Sequence, residues 1–192
     1  MRINKSFIVQ RGLPVREMPK AFLELSGYIR HAITKKQTGV WIAQREGRAK
    51  DSNDRTQESI LKMFALSGTK SFIENLKELN ICPATISYEY DPCDFLKAQE
   101  FQLKRDIEGY KKTTQDDLIS MQTGLFGYKG KVHFQTAPCI NDRLAQLDRS
   151  LPKQELFSSI SACIDQRIHS NYRIYSGNYV AYDLLKGTSE FA

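Results

Sequence analysis

Trp41-Ile42-Ala43-Gln44-Arg45-Glu46-Gly47-Arg48-Ala49-Lys50-Asp51-Ser52-Asn53-Asp54-Arg55 sets a short apolar run directly against a dense loop of mixed charge. The apolar part, Val40 to Ala43, follows the turn residue Gly39 and is too short for a helical stripe, so it is expected to be a core strand. Within the next eleven residues Arg45, Arg48, Lys50 and Arg55 stand among Glu46, Asp51 and Asp54, with Gly47 where the backbone can turn sharply or approach a ligand. A solvated loop whose charges pair with one another is one reading. The other is an anion site, because open α/β sheets bind ligands beyond the C-terminal ends of their strands, and guanidinium groups grip phosphate with paired hydrogen bonds.

On either side, the sequence reads as alternating strands and helices. Ser6 to Gln10 (SFIVQ) is a strand candidate ending at Arg11 and Gly12. Phe22, Leu25, Ile29 and Ala32/Ile33 mark one face of a helix over 20–36. Strand, helix and strand in this order predict a βαβ unit with parallel strands. Helices follow over 56–66, capped by Asp54 or Thr56, and over 70–79, with Ser67 and Gly68 between them. A strand is expected over 81–90 with Pro83 near its start, where a missing amide costs least. The polar stretch 95–112 reads as helix, and Leu118, Met121 and Leu125 continue a helical rhythm. Val132 and Phe134 mark the inner face of a strand over 131–136. Leu156, Ile160, Cys163, Ile164 and Ile168 line a helix over 152–169, with Asp165, Gln166 and Arg167 facing water. The tyrosine-rich tail from Tyr172 is a strand or a short helix. The expected fold is therefore a single α/β domain with a central, mostly parallel sheet flanked by helices.

The 192 residues suffice for one domain with a real core. A formal charge of +6 favours anionic partners without choosing among phosphorylated metabolites, nucleic acid and acidic lipid. No apolar run reaches the length of a spanning helix, and the segment from Met1 to Phe7 lacks the apolar region of a signal peptide. Cys82, Cys93, Cys139 and Cys163 are scattered, with no Cys-x-x-Cys pair and no histidine at finger-like spacing. Neither a disulfide framework nor a zinc site is indicated, and a reducing cytoplasm is the simplest setting.

His31, His133 and His169 have no aspartate at a spacing that suggests a dyad, and each reads as structural or surface. Cys93 lacks a visible activator. No glycine-rich nucleotide loop occurs, since Gly124, Gly127 and Gly130 follow a helix rather than a strand.

Three patches in order resemble blocks of the glycerolipid acyltransferase family, the glycerol-3-phosphate and 1-acylglycerol-3-phosphate acyltransferases. SFIVQRG (Ser6 to Gly12) resembles the second block, whose arginine helps hold the acceptor phosphate; the resemblance gives that role to Arg11. QREGRAK (Gln44 to Lys50) resembles the third, with Glu46 and Gly47 on its Glu-Gly pair. The family's arginine there falls on Ala49, so the phosphate contact passes to Arg48 or Lys50. CPATISYEYDP (Cys82 to Pro92) resembles the fourth block, with Pro83 at its proline. The similarity covers about residues 6 to 140, leans to the glycerol-3-phosphate-like branch, and extends to bacterial members with QREGRAKD and SYEYDPCD. The first block, H-x-x-x-x-D, is absent: the residues closing that spacing after His31, His133 and His169 are Lys36, Pro138 and Ile174.

The resemblance implies an acyltransferase domain, of which 1–192 is expected to be a part lacking its N-terminal block. The complete enzyme would move a fatty acyl group from acyl-CoA or acyl carrier protein to glycerol 3-phosphate or 1-acylglycerol 3-phosphate. Arg11, Arg48 and Lys50 would bind the phosphate, supported by Glu46, Gly47 and Pro83, with no metal or bound cofactor and no catalytic residue in this chain. It further implies a glycerol phosphate or lysophospholipid partner, a peripheral place at the cytoplasmic face of a membrane, and no nucleic acid. The alternative is a non-catalytic anion- or nucleic-acid-binding protein.

Overall fold

The computed structural model describes residues 13–43 and 54–191, and within them the chain is mostly helical. In chain order come helices α1 (Met18–Thr34), α2 (Glu58–Ala65) and α3 (Phe72–Lys77), strand β1 (Ala84–Tyr88), helices α4 (Asp94–Asp106) and α5 (Thr114–Phe126), strand β2 (Val132–Thr136), and helices α6 (Asn141–Ala145), α7 (Lys153–His169) and α8 (Ser176–Lys186).

The expected central, mostly parallel sheet is overturned. Among the described residues there is one two-stranded sheet, and its strands run antiparallel, with Ala84 opposite Thr136 and Tyr88 opposite Val132. The parallel reading needed Val40–Ala43 to be a strand beside Ser6–Gln10. The latter lies outside the described residues, and 40–43 is irregular, with Trp41 59% exposed. Four apolar residues supply the composition of a strand, but only a hydrogen-bonded partner makes one.

The chain forms two compact units, one comprising residues up to Pro83 together with Ala137–Ile168, the other Ala84–Thr136 together with the residues from His169 onward. Among the described residues every buried apolar side chain belongs to the first, from Ile29 on α1 and Leu61 on α2 to Leu76 on α3, Leu144 on α6 and Ile160 on α7. Burying side chains of this size stabilises by about 1.5–3 kcal/mol each. α1 packs on α2, α2 on α3, and α3 on α6. Polar groups fix these contacts. Arg30 reaches from α1 to the Glu78 carboxylate, with which it pairs, while its Nη2 donates to the Asn75 carbonyl at 2.9 Å and its Nε to Ser67 Oγ at 3.2 Å. Ser67 N in turn donates to Ser26 Oγ at 3.1 Å. Gly68 is required here: a Cβ on it would stand 2.0 Å from the side chain of Asn75, which is buried and donates to the carbonyls of Ala65 and Lys70.

The second unit is built differently. Thr113 caps α5 by accepting from Asp116 N at 3.2 Å, and Asp116 Oδ2 returns the bond by accepting from Thr113 N at 2.9 Å. Buried Glu100 on α4 pairs with Lys104 at 2.8 Å and with Lys112 at 3.8 Å. Its apolar side chains are exposed or at most half-buried: α5 buries no residue, and Phe126 is 83% exposed. The expected inner face of β2 is also reversed, since Val132 and Phe134 are exposed and His133 between them is half-buried. No described helix is long and apolar enough to cross a membrane.

Candidate functional site

Of the residues expected to form the anion site, Arg11, Glu46, Gly47, Arg48 and Lys50 lie outside the described residues; Pro83 lies within them. The described residues that follow the charged stretch in sequence are bonded to α7. Asp54 is buried. Two residues on, the Thr56 amide and hydroxyl both donate to Asp165 Oδ1 on α7, at 2.7 and 2.6 Å. Two residues further, Glu58, in the first turn of α2, accepts from Gln154 Nε2 at 2.7 Å and from Ser158 Oγ at 3.0 Å, both on α7. These bonds, led by that of Gln154 and joined by Lys62, hold the Glu58 carboxyl below its ordinary value despite the opposing effect of burial. Thr56 and the start of α2 are thus tied to α7 through two carboxylates.

Asp165 was expected to face water, and this is corrected: it is half-buried and accepts from Thr56. Arg167, also assigned to water, donates from Nη1 to the Pro138 carbonyl at 2.6 Å. The helical stripe of α7 marked the apolar side correctly, but a polar residue beside that stripe can equally well bond a neighbouring segment. Nor does Asp54 or Thr56 cap α2 through its side chain; Gln57 occupies the cap position without such a bond.

Pro83 is buried, and its carbonyl accepts from Ala137 N at 2.8 Å. Of the histidines, His31 is exposed on α1, His133 stands opposite Ser87 in the sheet, and the exposed His169 sets its ring 5.5 Å from that of Tyr172. Arg30 has the half-buried setting of an anion receptor, yet its donors are taken by Glu78, Asn75 and Ser67, so its work is structural. Among the described residues no group of three or more His, Cys, Asp or Glu is placed to hold a metal ion.

Compared with known protein families, curated proteins and solved structures, the chain finds no match in any of the three.

Proposed function

We propose that this chain binds the phosphate of a glycerol phosphate or lysophosphatidate acceptor for acyl transfer from acyl-CoA or acyl carrier protein, through Arg11 and the Arg48/Lys50 pair. The observation that carries the proposal is the ordered set of three blocks, SFIVQRG, QREGRAK and CPATISYEYDP, with cations at the positions where the resembled family grips phosphate. Its support is in the residues, not in the architecture. Glu46 orients the cations, and Gly47 admits the ligand to the backbone. The acceptor hydroxyl needs a base, and the H-x-x-x-x-D spacing does not occur in the sequence. Loss of a general base costs roughly 10²- to 10⁴-fold in rate, so this chain alone binds without turning over.

The same reading places the protein peripherally on the cytoplasmic face of a membrane. Supporting it are the charge of +6 and exposed apolar residues at helical spacing, Leu118, Met121 and Leu125 on α5 and Val180 and Leu184 on α8.

Calorimetric titration of the purified chain with glycerol 3-phosphate tests the acceptor site. Weak binding is expected, and Arg11→Ala or Arg48→Ala should each reduce it by about tenfold, the loss of one charge-assisted contact. Incubation with glycerol 3-phosphate and a long-chain acyl-CoA should yield no acylated product. Binding that ignores both substitutions sinks the assignment of the cations, and robust acyl transfer sinks the claim of binding without turnover.

A further inference from the structure

The sequence scatters its four cysteines, but the fold brings two of them together at the root of a strand pair. Ile140 N donates to the Ile81 carbonyl at 3.0 Å, and Ala137 N donates to the Pro83 carbonyl at 2.8 Å. Between these two bonds a single residue on one side, Cys82, faces two on the other, Pro138 and Cys139. That is the arrangement of a β-bulge. Cys82 thus sits between the hydrogen-bonded positions, where antiparallel backbones approach most closely and facing side chains meet. The Cys139 side chain is near enough to the Cys82 thiol to act on it electrostatically. Cys82 is exposed and Cys139 half-buried, so a reagent in solution can reach the pair. Cys82 Sγ also donates to the Asn80 carbonyl at 3.4 Å, as Cys93 Sγ does to the Ser120 carbonyl at 3.3 Å.

We propose that Cys82 and Cys139 are a redox modification site that closes to an intramolecular disulfide by exchange with small disulfides of the glutathione type and reopens with the corresponding thiols. In the first step one cysteine thiolate attacks a sulfur of the small disulfide. A protein–glutathione S–S bond forms, the glutathione S–S bond breaks, and glutathione thiolate leaves. In the second step the other cysteine, having given its proton to water, attacks the protein-side sulfur of that mixed disulfide and expels the second glutathione thiolate. Two protein thiols are oxidised by two electrons, the small disulfide is reduced to two thiols, and the released protons return to the leaving thiolates.

The surroundings set the pH dependence. Burial and the adjoining Cys139 push the Cys82 thiol above its ordinary value, against a weaker downward pull from the Arg167 guanidinium. The reactive thiolate at Cys82 is therefore scarce at neutral pH, and the exchange accelerates as the solution becomes alkaline. The bond closes the whole excursion of the chain between the two cysteines.

The test uses the full reduced chain, incubated with oxidised glutathione, alkylated, and cleaved after glutamate, which puts the four cysteines on four different peptides. Mass mapping should find the Cys82 and Cys139 peptides joined, lighter by two hydrogens than their sum, and separated again by dithiothreitol, with Cys93 and Cys163 alkylated. Cys82→Ser should abolish the cross-link and leave glutathione on Cys139; Cys139→Ser should leave it on Cys82. In the unsubstituted chain, full alkylation of both residues, separate glutathione adducts that do not resolve, or a cross-link through Cys93 or Cys163 would each overturn the proposal. Because the deciding result comes from the unsubstituted chain, a variant that fails to fold does not blunt it.

Discussion

Asp165 shows how much can depend on one oxygen. Oδ1 accepts from both the amide and the hydroxyl of Thr56, so the carboxylate satisfies a backbone donor of a half-buried residue. The two substitutions that break this contact should differ. Asp165→Ala strands the Thr56 amide and should cost about 1–3 kcal/mol of unfolding free energy, whereas Thr56→Ala removes only the hydroxyl and should cost about 1 kcal/mol. Urea denaturation of the two variants checks the order, and equal losses would mean that the amide finds another acceptor. Sequence could not have shown this. Asp165 lies on the charged side of a well-defined apolar stripe, and nothing local to it distinguishes a carboxylate that meets a distant threonine from one that meets water.

The elements were legible to the extent that their signal was local. The stripe Leu156, Ile160, Ile164 and Ile168 specified α7, Phe72, Ile73 and Leu76 specified α3, and Ser67-Gly68 marked the break between α2 and α3, where Gly68 yields space to Asn75. What composition could not specify was pairing. β1 and β2 fall where the 81–90 and 131–136 stretches predicted strands, but they bond to each other in antiparallel register instead of to a parallel neighbour. Nor does helical rhythm guarantee burial, as exposed Leu118, Met121 and Leu125 on α5 show. At this scale α8 carries a pH-dependent contact. Burial raises the Asp183 carboxyl, but hydrogen bonds from Phe191 N, Thr188 Oγ1 and Glu190 N outweigh it and leave the group below its ordinary value of 3.8. A carboxyl depressed in the folded state contributes its stability above the unfolded value and loses it as pH falls through the lower folded one. The packing of Phe191 on Tyr179, with ring centroids 4.9 Å apart, should therefore persist through mild acidity and loosen only in stronger acid. Nuclear Overhauser contacts between these rings, followed downward in pH, will show it; contacts that survive full protonation would remove Asp183 from the account. The candidate anion residues Arg11, Arg48 and Lys50 lie outside the described residues, and their role rests on the sequence alone.

For the whole molecule, the uneven distribution of core between the two units has a dynamic consequence. Opening free energies follow local burial, so backbone amides of α3 and α7, rich in buried Ile and Leu, should exchange slowly. Those of α5, which buries no residue, should exchange far sooner. Hydrogen-exchange mass spectrometry distinguishes the two, and α5 protected as well as α7 would contradict the burial argument. The bond between Ala137 and Pro83 carries a different kind of implication. Because the interval from 84 to 136 departs and returns at adjoining points, it has the topology of an insertion whose ends are already joined. Its length is then nearly free to drift, each doubling of a flexible connection costing only about 0.6 kcal/mol. A gene in which those codons give way to a tight turn would still encode the helices that bury the core.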